Sequence, residues 1–388
     1  MIYPTIPREE FAERCGKVQN ILKENGLDLI LLYSDDRLTY GNAYGRYFAD
    51  LQTNFENTLI AFMPGKNPVL LVGPETIGYA FERSAIRDMI VISEFASEEE
   101  DYPFTTVTPL KSVICDLLGR EPEKIGLAPL VHMSATLLDT IKSNFSSAEF
   151  ISIDKEVDAL RAVKSKSEIE VIKYAYFLAN KAMDEALRIL KPGVTEREIA
   201  AEAEYASRKL GGECYGIDPI VASGSNAFHI LGRTTTRKIE KDDIVVLTFA
   251  PRYEGYHGAC GRTVTVGNPD AEAVTAIEAA VKAQETCAEN LLPGRIGSEV
   301  EAIGRKIMAE AGYGDNFLYS GLHSVGVIEF EPPILGPSSS TVIQENMVIS
   351  IDIPLFEHKI ARARIEDGYL ITKNGNERLT TPERIIRI

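Results

Sequence analysis

The chain has 388 residues, more than one hydrophobic core usually organises, so two domains are expected. It is 45% hydrophobic and 25% charged, and 57 acidic residues against 41 basic ones leave a net charge of −16. That balance excludes a disordered chain and argues against a nucleic-acid backbone or an anionic membrane as partner, because both need a basic surface. The opening MIYPTIPREE has no basic segment followed by an apolar one, and no apolar run reaches the length of a membrane span. Cys15, Cys115, Cys214, Cys260 and Cys287 are scattered without a CxxC pair and read as free thiols of a reducing compartment. The expectation is a cytoplasmic globular protein with a small-molecule substrate.

In chain order, Phe11, Cys15, Val18, Ile21 and Leu22 recur at helical spacing, and Asn25-Gly26 ends that helix. Leu27-Asp28-Leu29-Ile30-Leu31-Leu32-Tyr33 reads as a buried strand. Residues 58–63 and 68–72 read as a hairpin across Pro64-Gly65-Lys66-Asn67. A strand at 124–127 precedes a helix over 133–145. Residues 1–155 therefore predict a compact α/β domain, with 156–388 as a second domain. The Lys-, Arg- and Ser-rich stretch 161–167 is the boundary candidate and opens a long helix.

The second part carries a degenerate internal repeat. Residues 190–199 match residues 291–300 around Pro192-Gly193 and Pro293-Gly294, a constant offset of 101 that persists at Gly211 and Gly312. Each Pro-Gly breaks one helix before the next, and Thr195 with Glu198 spells a capping box. Helix, Pro-Gly, helix, then strands thus occurs twice, with long helices at about 167–190 and 272–290. Two pseudo-equivalent halves with a site between them are expected.

There is no GxxxxGK[ST], no GxSxG and no HExxH. Residues 243–250 and 253–266 read as two strands joined by a turn at Pro251-Arg252. On the second, His257, Ala259 and Gly261 share one face, while Cys260 points the other way and reads as a small buried side chain. Of five histidines, His229 ends the loop Ala222-Ser223-Gly224-Ser225-Asn226-Ala227-Phe228, and His323 sits in Ser320-Gly321-Leu322-His323-Ser324-Val325-Gly326. Glu366 lies in Arg364-Ile365-Glu366-Asp367, read as ahead of the final strand.

At these residues the whole chain resembles the creatinase/aminopeptidase family (peptidase family M24, pita-bread fold). The helix, Gly26-Leu27-Asp28 and apolar strand of the first domain match it, as do the stretch before the long helix and the repeat. So do Gly255-Tyr256, Arg262-Thr263, His323 with Gly326, Pro332, Met347 and Arg364-Ile365-Glu366-Asp367. The resemblance implies an α+β protein, a creatinase-like N-terminal α/β domain at 1–155 followed by a pita-bread domain at 156–388 with a pseudo-two-fold repeat. It further implies a homodimer in which the neighbouring subunit adds groups around Phe55 to the site.

Metallopeptidases of the family hold two ions with two Asp, one His and two Glu. Residue by residue, the resemblance puts these at Thr248, Ala259, His323, Asp352 and Glu366. Alanine offers no ligand atom, and neutral threonine replaces a bridging carboxylate. The peptidases' second histidine falls on Phe330, and their loop histidine is matched by His229. Creatinase, a metal-free relative, also lacks both aspartates, and its second active-site Glu falls on Gly261. These departures imply a metal-independent hydrolase of a C–N bond in a small polar molecule, with no cofactor. His229 would be the acid/base, helped by Glu366, with His323 and Asp352 completing the catalytic group. His257, Phe330, Arg364 and Phe55 would contact substrate. Two alternatives stay open: a peptidase of the Xaa-Pro type with one ion at His323, Asp352 and Glu366, and a non-catalytic peptide-binding module.

Overall fold

The structure, a computed structural model, describes residues 3–37 and 39–388. The chain divides into two compact units, Ile6–Arg161 and Ala162–Ile388, the second joined by the segment that ends at Thr5.

The first unit opens with α1 (Arg8–Asn25), whose buried side chains include Phe11, Cys15, Val18, Ile21 and Leu22, the expected stripe. Gly26 closes it at φ 61°, a left-handed conformation that costs glycine nothing because it has no Cβ. There follow β1 (Leu29–Ser34), α2 (Ala43–Ala49), β2 (Thr58–Phe62), β3 (Val69–Val72), α3 (Ile77–Arg83), β4 (Met89–Ile92) and β5 (Val107–Thr108). After these come α4 (Leu110–Leu118), β6 (Lys124–Ala128), α5 (Ala135–Asn144), β7 (Glu149–Ser152) and α6 (Asp154–Ala162). Seven strands form one mixed sheet in the order β5-β4-β3-β2-β1-β6-β7. The expected hairpin is present, with Ile60 opposite Leu70. Every residue of β1 is buried, which is why Leu29–Tyr33 is an apolar run and not an alternating one.

In the second unit the repeat becomes four helices: α7 (Lys166–Ile189), α8 (Glu196–Lys209), α9 (Ala271–Asn290) and α10 (Gly297–Glu310). Capping boxes at Ser165/Glu168 and Thr195/Glu198 start α7 and α8, each satisfying amides that would otherwise lack partners. The offset of the repeat is visible in the backbone. Gly193 and Gly294 sit at φ 94° and 88°, and Gly211 and Gly312 at 99° and 92°.

The strands are β8 (Ile220–Ser223), β9 (Ile244–Phe249), β10 (Arg252–Tyr253), β11 (Tyr256–His257), β12 (Cys260–Thr265), β13 (Leu322–Ser324), β14 (Glu331–Ile334), β15 (Val348–Leu355), β16 (Ala363–Thr372), β17 (Gly375–Arg378) and β18 (Ile386–Arg387). Among them β14-β13-β15-β16-β12-β9-β8 form the main sheet, with β17 on β16 and β18 on β12.

One expectation needs correction. The strand anticipated over 253–266 is two strands, β11 and β12. Glu254-Gly255, at φ 47° and 82°, makes a tight turn that pairs β10 with β11, so the reversal lies there and not at Pro251-Arg252. Gly258 then passes so close to the α7 backbone at Ala175 and Tyr176 that any Cβ would overlap it, and the ladder breaks. Glu366 lies inside β16, ahead of β17 and the final strand β18. Cys260 faces a core that includes Ala179, Met183, Val245 and Val264, as expected. Among the described residues, no helix is long and apolar enough to cross a membrane.

Candidate active site

Strand register alone assembles a row of residues. Thr248 pairs with Gly261, Gly261 with Glu366, and Glu366 with Asp352, so four strands contribute one position each to a single line across the sheet. Cross-strand neighbours project to the same face, and Arg364 joins that face because it lies two residues before Glu366. Gly261 makes the row possible. A Cβ there would stand 2.8 Å from Glu366 Cβ and 3.0 Å from Arg364 Cγ.

Arg364 governs one end of the row. Its Nε lies 3.4 Å from Asp352 Oδ2, its Nη1 3.4 Å from Thr248 Oγ1, and its Nη2 donates to the Tyr319 hydroxyl at 2.8 Å. Tyr319 donates in turn to Asp352 Oδ2. A second Nη2 contact, 3.4 Å to the Ile230 carbonyl, ties the guanidinium to the loop that carries His229. Burial raises the Asp352 carboxyl from its ordinary range, while Arg364 and Tyr319 hold it back. Glu366 lies well above its ordinary range, through burial first and then the charges of Asp352 and Glu329, although Ser350 donates to its Oε1 at 3.0 Å.

His323 and Glu329 face the other end. The His323 Nδ1 lies 3.0 Å from the Ser324 carbonyl, which can only accept, so Nδ1 carries the proton and Nε2 the lone pair. Burial lowers its pKa to about 4 and keeps the ring neutral. The Phe330 ring stacks on it at 4.0 Å. The loop between β13 and β14 is anchored where it leaves and returns. Buried Lys164 reaches Ser324 Oγ at 2.7 Å and Glu331 Oε1 at 3.0 Å. That loop turns Glu329 inward, so that ligand atoms of His323, Glu329 and Glu366 all lie within 4.8 Å of one another. Gly216 leaves the space, since a Cβ there would come to 2.8 Å from Glu329 Cβ and 2.7 Å from His257 Cδ2. His257 is buried, with Nδ1 3.1 Å from the Gly326 carbonyl and a pKa lowered to about 3 by burial.

His323, Asp352, Glu366 and Arg364 therefore come together, with Phe330 stacked on His323. His229 is exposed at the end of the β8–β9 loop start, its ring 5.1 Å from that of Phe228. Phe55 belongs to the other unit, 76% exposed and at φ 71°. Sequence reasoning passed over Glu329, Tyr319 and Tyr176. The one available signal for Glu329 was an acid beside Phe330, the position of the peptidases' second histidine. Tyr176 is fully buried, and burial with the charges of Glu366 and Glu329 holds its phenol well above its usual range. Its ring fills space that exists only because residue 368 is glycine, where any Cβ would overlap it.

Comparison with known proteins agrees with this geometry. Residues 170–373 match the family described as Metallopeptidase family M24, and residues 14–163 match the Creatinase/Prolidase N-terminal domain. The chain belongs to metallopeptidase family M24. It is 34% identical over 291 residues to the Xaa-Pro dipeptidase of Pyrococcus furiosus, covering 75% of this chain and 82% of that one. An uncharacterised peptidase of Bacillus subtilis is 31% identical over 283 residues, 73% of this chain and 78% of its own. The crystal structure of the prolidase from Pyrococcus horikoshii superposes with a TM-score of 0.83 at 29% identity, over 96% of this chain and 99% of that one. This family member is accordingly a hydrolase acting on a C–N bond. Kinship with Xaa-Pro dipeptidases favours the peptidase alternative over the metal-independent reading drawn from the sequence.

A centre with two metal ions does not fit the residues of this M24 protein. Thr248 and Ala259 supply no carboxylate, and the Arg364 guanidinium already spans from Thr248 to Asp352, a fixed positive charge in contact with both. One ion does fit, on the side of His323, Glu329 and Glu366.

Proposed function

We propose that this M24 hydrolase cleaves the C–N bond of a short peptide, with Xaa-Pro dipeptides the class to test first. What carries the reading is likeness over most of the chain to an Xaa-Pro dipeptidase, joined to His323, Asp352 and Glu366 sharing one buried site. A divalent ion held by His323, Glu329 and Glu366 would polarise the scissile carbonyl and acidify a bound water. The Glu366 carboxylate would take the water's proton and pass it to the leaving amine. Arg364 and Tyr319 keep Asp352 from adding a further uncompensated charge. Phe330, 40% exposed, offers apolar surface for a prolyl ring, and exposed His229 is the group for the substrate's carbonyl or carboxylate.

One observation favours a second reading, metal-independent hydrolysis of a small amide or amidine with His229 as acid/base beside Glu366. It is the replacement of both aspartates by Thr248 and Ala259. Proline release from Xaa-Pro dipeptides, with and without chelator, separates the two. The peptidase reading expects chelator-sensitive cleavage that falls about 10²–10⁴-fold in Glu366→Gln. Absence of cleavage across a dipeptide panel would refute it, and cleavage indifferent to chelator would favour the second. A homodimer in a reducing compartment belongs to the same proposal, resting on the family resemblance and the five free cysteines. Sedimentation at micromolar concentration tests the dimer.

A further inference from the structure

The loop that leaves β8 at Ser223 and returns through Arg237 carries His229. Among the described residues the His229 imidazole makes no hydrogen bond, and its one ring contact is with Phe228, so the backbone of the loop sets where it stands. At the tip three successive carbonyls are held. Phe228 accepts from the Glu357 amide at 3.0 Å, His229 from the Gly232 amide at 3.4 Å, and Ile230 from Arg364 Nη2 at 3.4 Å. Two of the three bonds are long and weak, which leaves the placement of the tip to the ends of the loop.

One buried side chain, Glu196 in the first turn of α8, ties both ends together. Its Oε1 accepts from the Ser223 amide and the Ser223 hydroxyl, each at 2.7 Å. Its Oε2 accepts from Asn226 Nδ2 at 2.9 Å, the Thr235 amide at 2.8 Å and the Thr235 hydroxyl at 2.7 Å. The grip is reciprocal, since the Glu196 and Arg197 amides, unpaired within the helix, donate to the Arg237 and Thr235 carbonyls at 3.0 and 3.1 Å. Glu196 makes no ion pair among the described residues. Arg237 stands one hydroxyl away, donating to Ser223 Oγ at 2.7 Å. A carboxylate out of water is costly unless hydrogen bonds satisfy it, and here every bond that does so comes from this loop.

The internal repeat supplies a second, independent observation. Its offset of 101 carries Ser223, the last residue of β8, onto Ser324, the last residue of β13. Both serine hydroxyls lie 2.7 Å from a buried charged group, Glu196 in the first half and Lys164 in the second. The two charges come from unrelated positions, the start of α8 and the residue two before α7, so each half pins its loop at the same point by its own means. We propose that Glu196 is the positioning residue for His229: it touches no substrate and acts by fixing the loop that presents the imidazole. The inference rests on reading His229 as the group that meets substrate, which both hydrolytic readings share.

The test is Glu196→Gln in the full chain, since a glutamine keeps the size but turns its N–H groups onto donors whichever way the amide faces. Amide hydrogen exchange read by mass spectrometry should quicken at least tenfold across residues 223–237 and stay unchanged in α9 and in the first unit. Thr235→Val and Asn226→Ala each remove one donor, should quicken the same segment to a lesser degree, and decide the matter if Glu196→Gln does not fold. The His229 Cε1–H resonance, assigned by its loss in His229→Gln, should move in Glu196→Gln toward its position in the urea-unfolded chain. Unchanged exchange in the loop would overturn the anchor, and so would exchange that quickens equally throughout the chain. A looser loop with an unmoved His229 resonance would overturn the positioning role. With a cleaved Xaa-Pro dipeptide in hand, Glu196→Gln should lower kcat/KM at least tenfold and add nothing in the His229→Ala background, whereas a full further loss there would overturn the link to His229. Exchange and resonance need no substrate, so failure of the hydrolase reading and failure of the anchor give different results.

Discussion

Acid should destabilise the carboxy-terminal unit through His257, and the effect has a definite size. Burial lowers this imidazole from an ordinary pKa of 6.5 to about 3, with Arg252 adding to the shift and the Gly326 carbonyl opposing it. The folded state therefore binds this proton less readily than the unfolded chain. The stabilising contribution is complete above pH 6.5, is lost as pH falls, and is exhausted near pH 3. At 1.36 kcal/mol per pKa unit, charging the folded site costs about 5 kcal/mol in all, of which about 2 kcal/mol is lost between pH 6.5 and 4.5. Asp352 and Glu366, whose pKa values are raised, work in the opposite direction, since they gain protons more readily when folded. A difference between two proteins is therefore the clean measurement. His257→Asn keeps a donor for the Gly326 carbonyl and removes the titration. Urea unfolding of both proteins, followed by far-UV circular dichroism at pH 7.5, 6.5, 5.5 and 4.5, should show the native protein losing about 2 kcal/mol more than the variant over the acid range. Parallel pH dependences would refute the claim that burial holds His257 neutral.

Other outcomes follow from single contacts. Gly368→Ala should cost about 1–3 kcal/mol because its Cβ meets the buried Tyr176 ring, and pairing it with Tyr176→Leu should restore part of the Tm. Lys164→Met should destabilise by about 3–5 kcal/mol in chemical denaturation, since it strands Glu331 without its buried cation. Ellman's reagent should label none of Cys15, Cys260 or Cys287 in the native protein, whose thiols burial pushes up to about 12, and should reach all five cysteines after denaturation.

The elements that could be read from the chain were those decided within a few residues. Gly26 ends α1 because its left-handed backbone lets its own amide and that of Leu27 donate to the Lys23 and Leu22 carbonyls, and Ser165/Glu168 and Thr195/Glu198 start helices through contacts three residues long. The repeat was legible for the same reason, since Gly193 and Gly294 perform one local task twice. Even the replacement of the family's two aspartate ligands by Thr248 and Ala259 needed only positions in a motif. The break between β11 and β12 did not yield to that reading, because it depends on how closely Gly258 approaches α7, which lies some eighty residues earlier in the chain.

The composition of the site was decided by the tertiary structure. Thr248, Gly261, Glu366 and Asp352 come from four strands and meet only through sheet register. Arg364 looked like a substrate contact in its motif, yet its partners Thr248 and Tyr319 lie 116 and 45 residues away, and together they tie it to Asp352. Glu329 had no periodicity or motif to mark it. It becomes part of the site because a loop held by Lys164 turns it toward Glu366 and His323, and because Gly216 leaves it room. Local signals specify backbone conformation, where the competing interactions are a few residues apart. Charge balance in a buried site sums over groups distant in sequence, and only the folded chain sets which of them share a low-dielectric space.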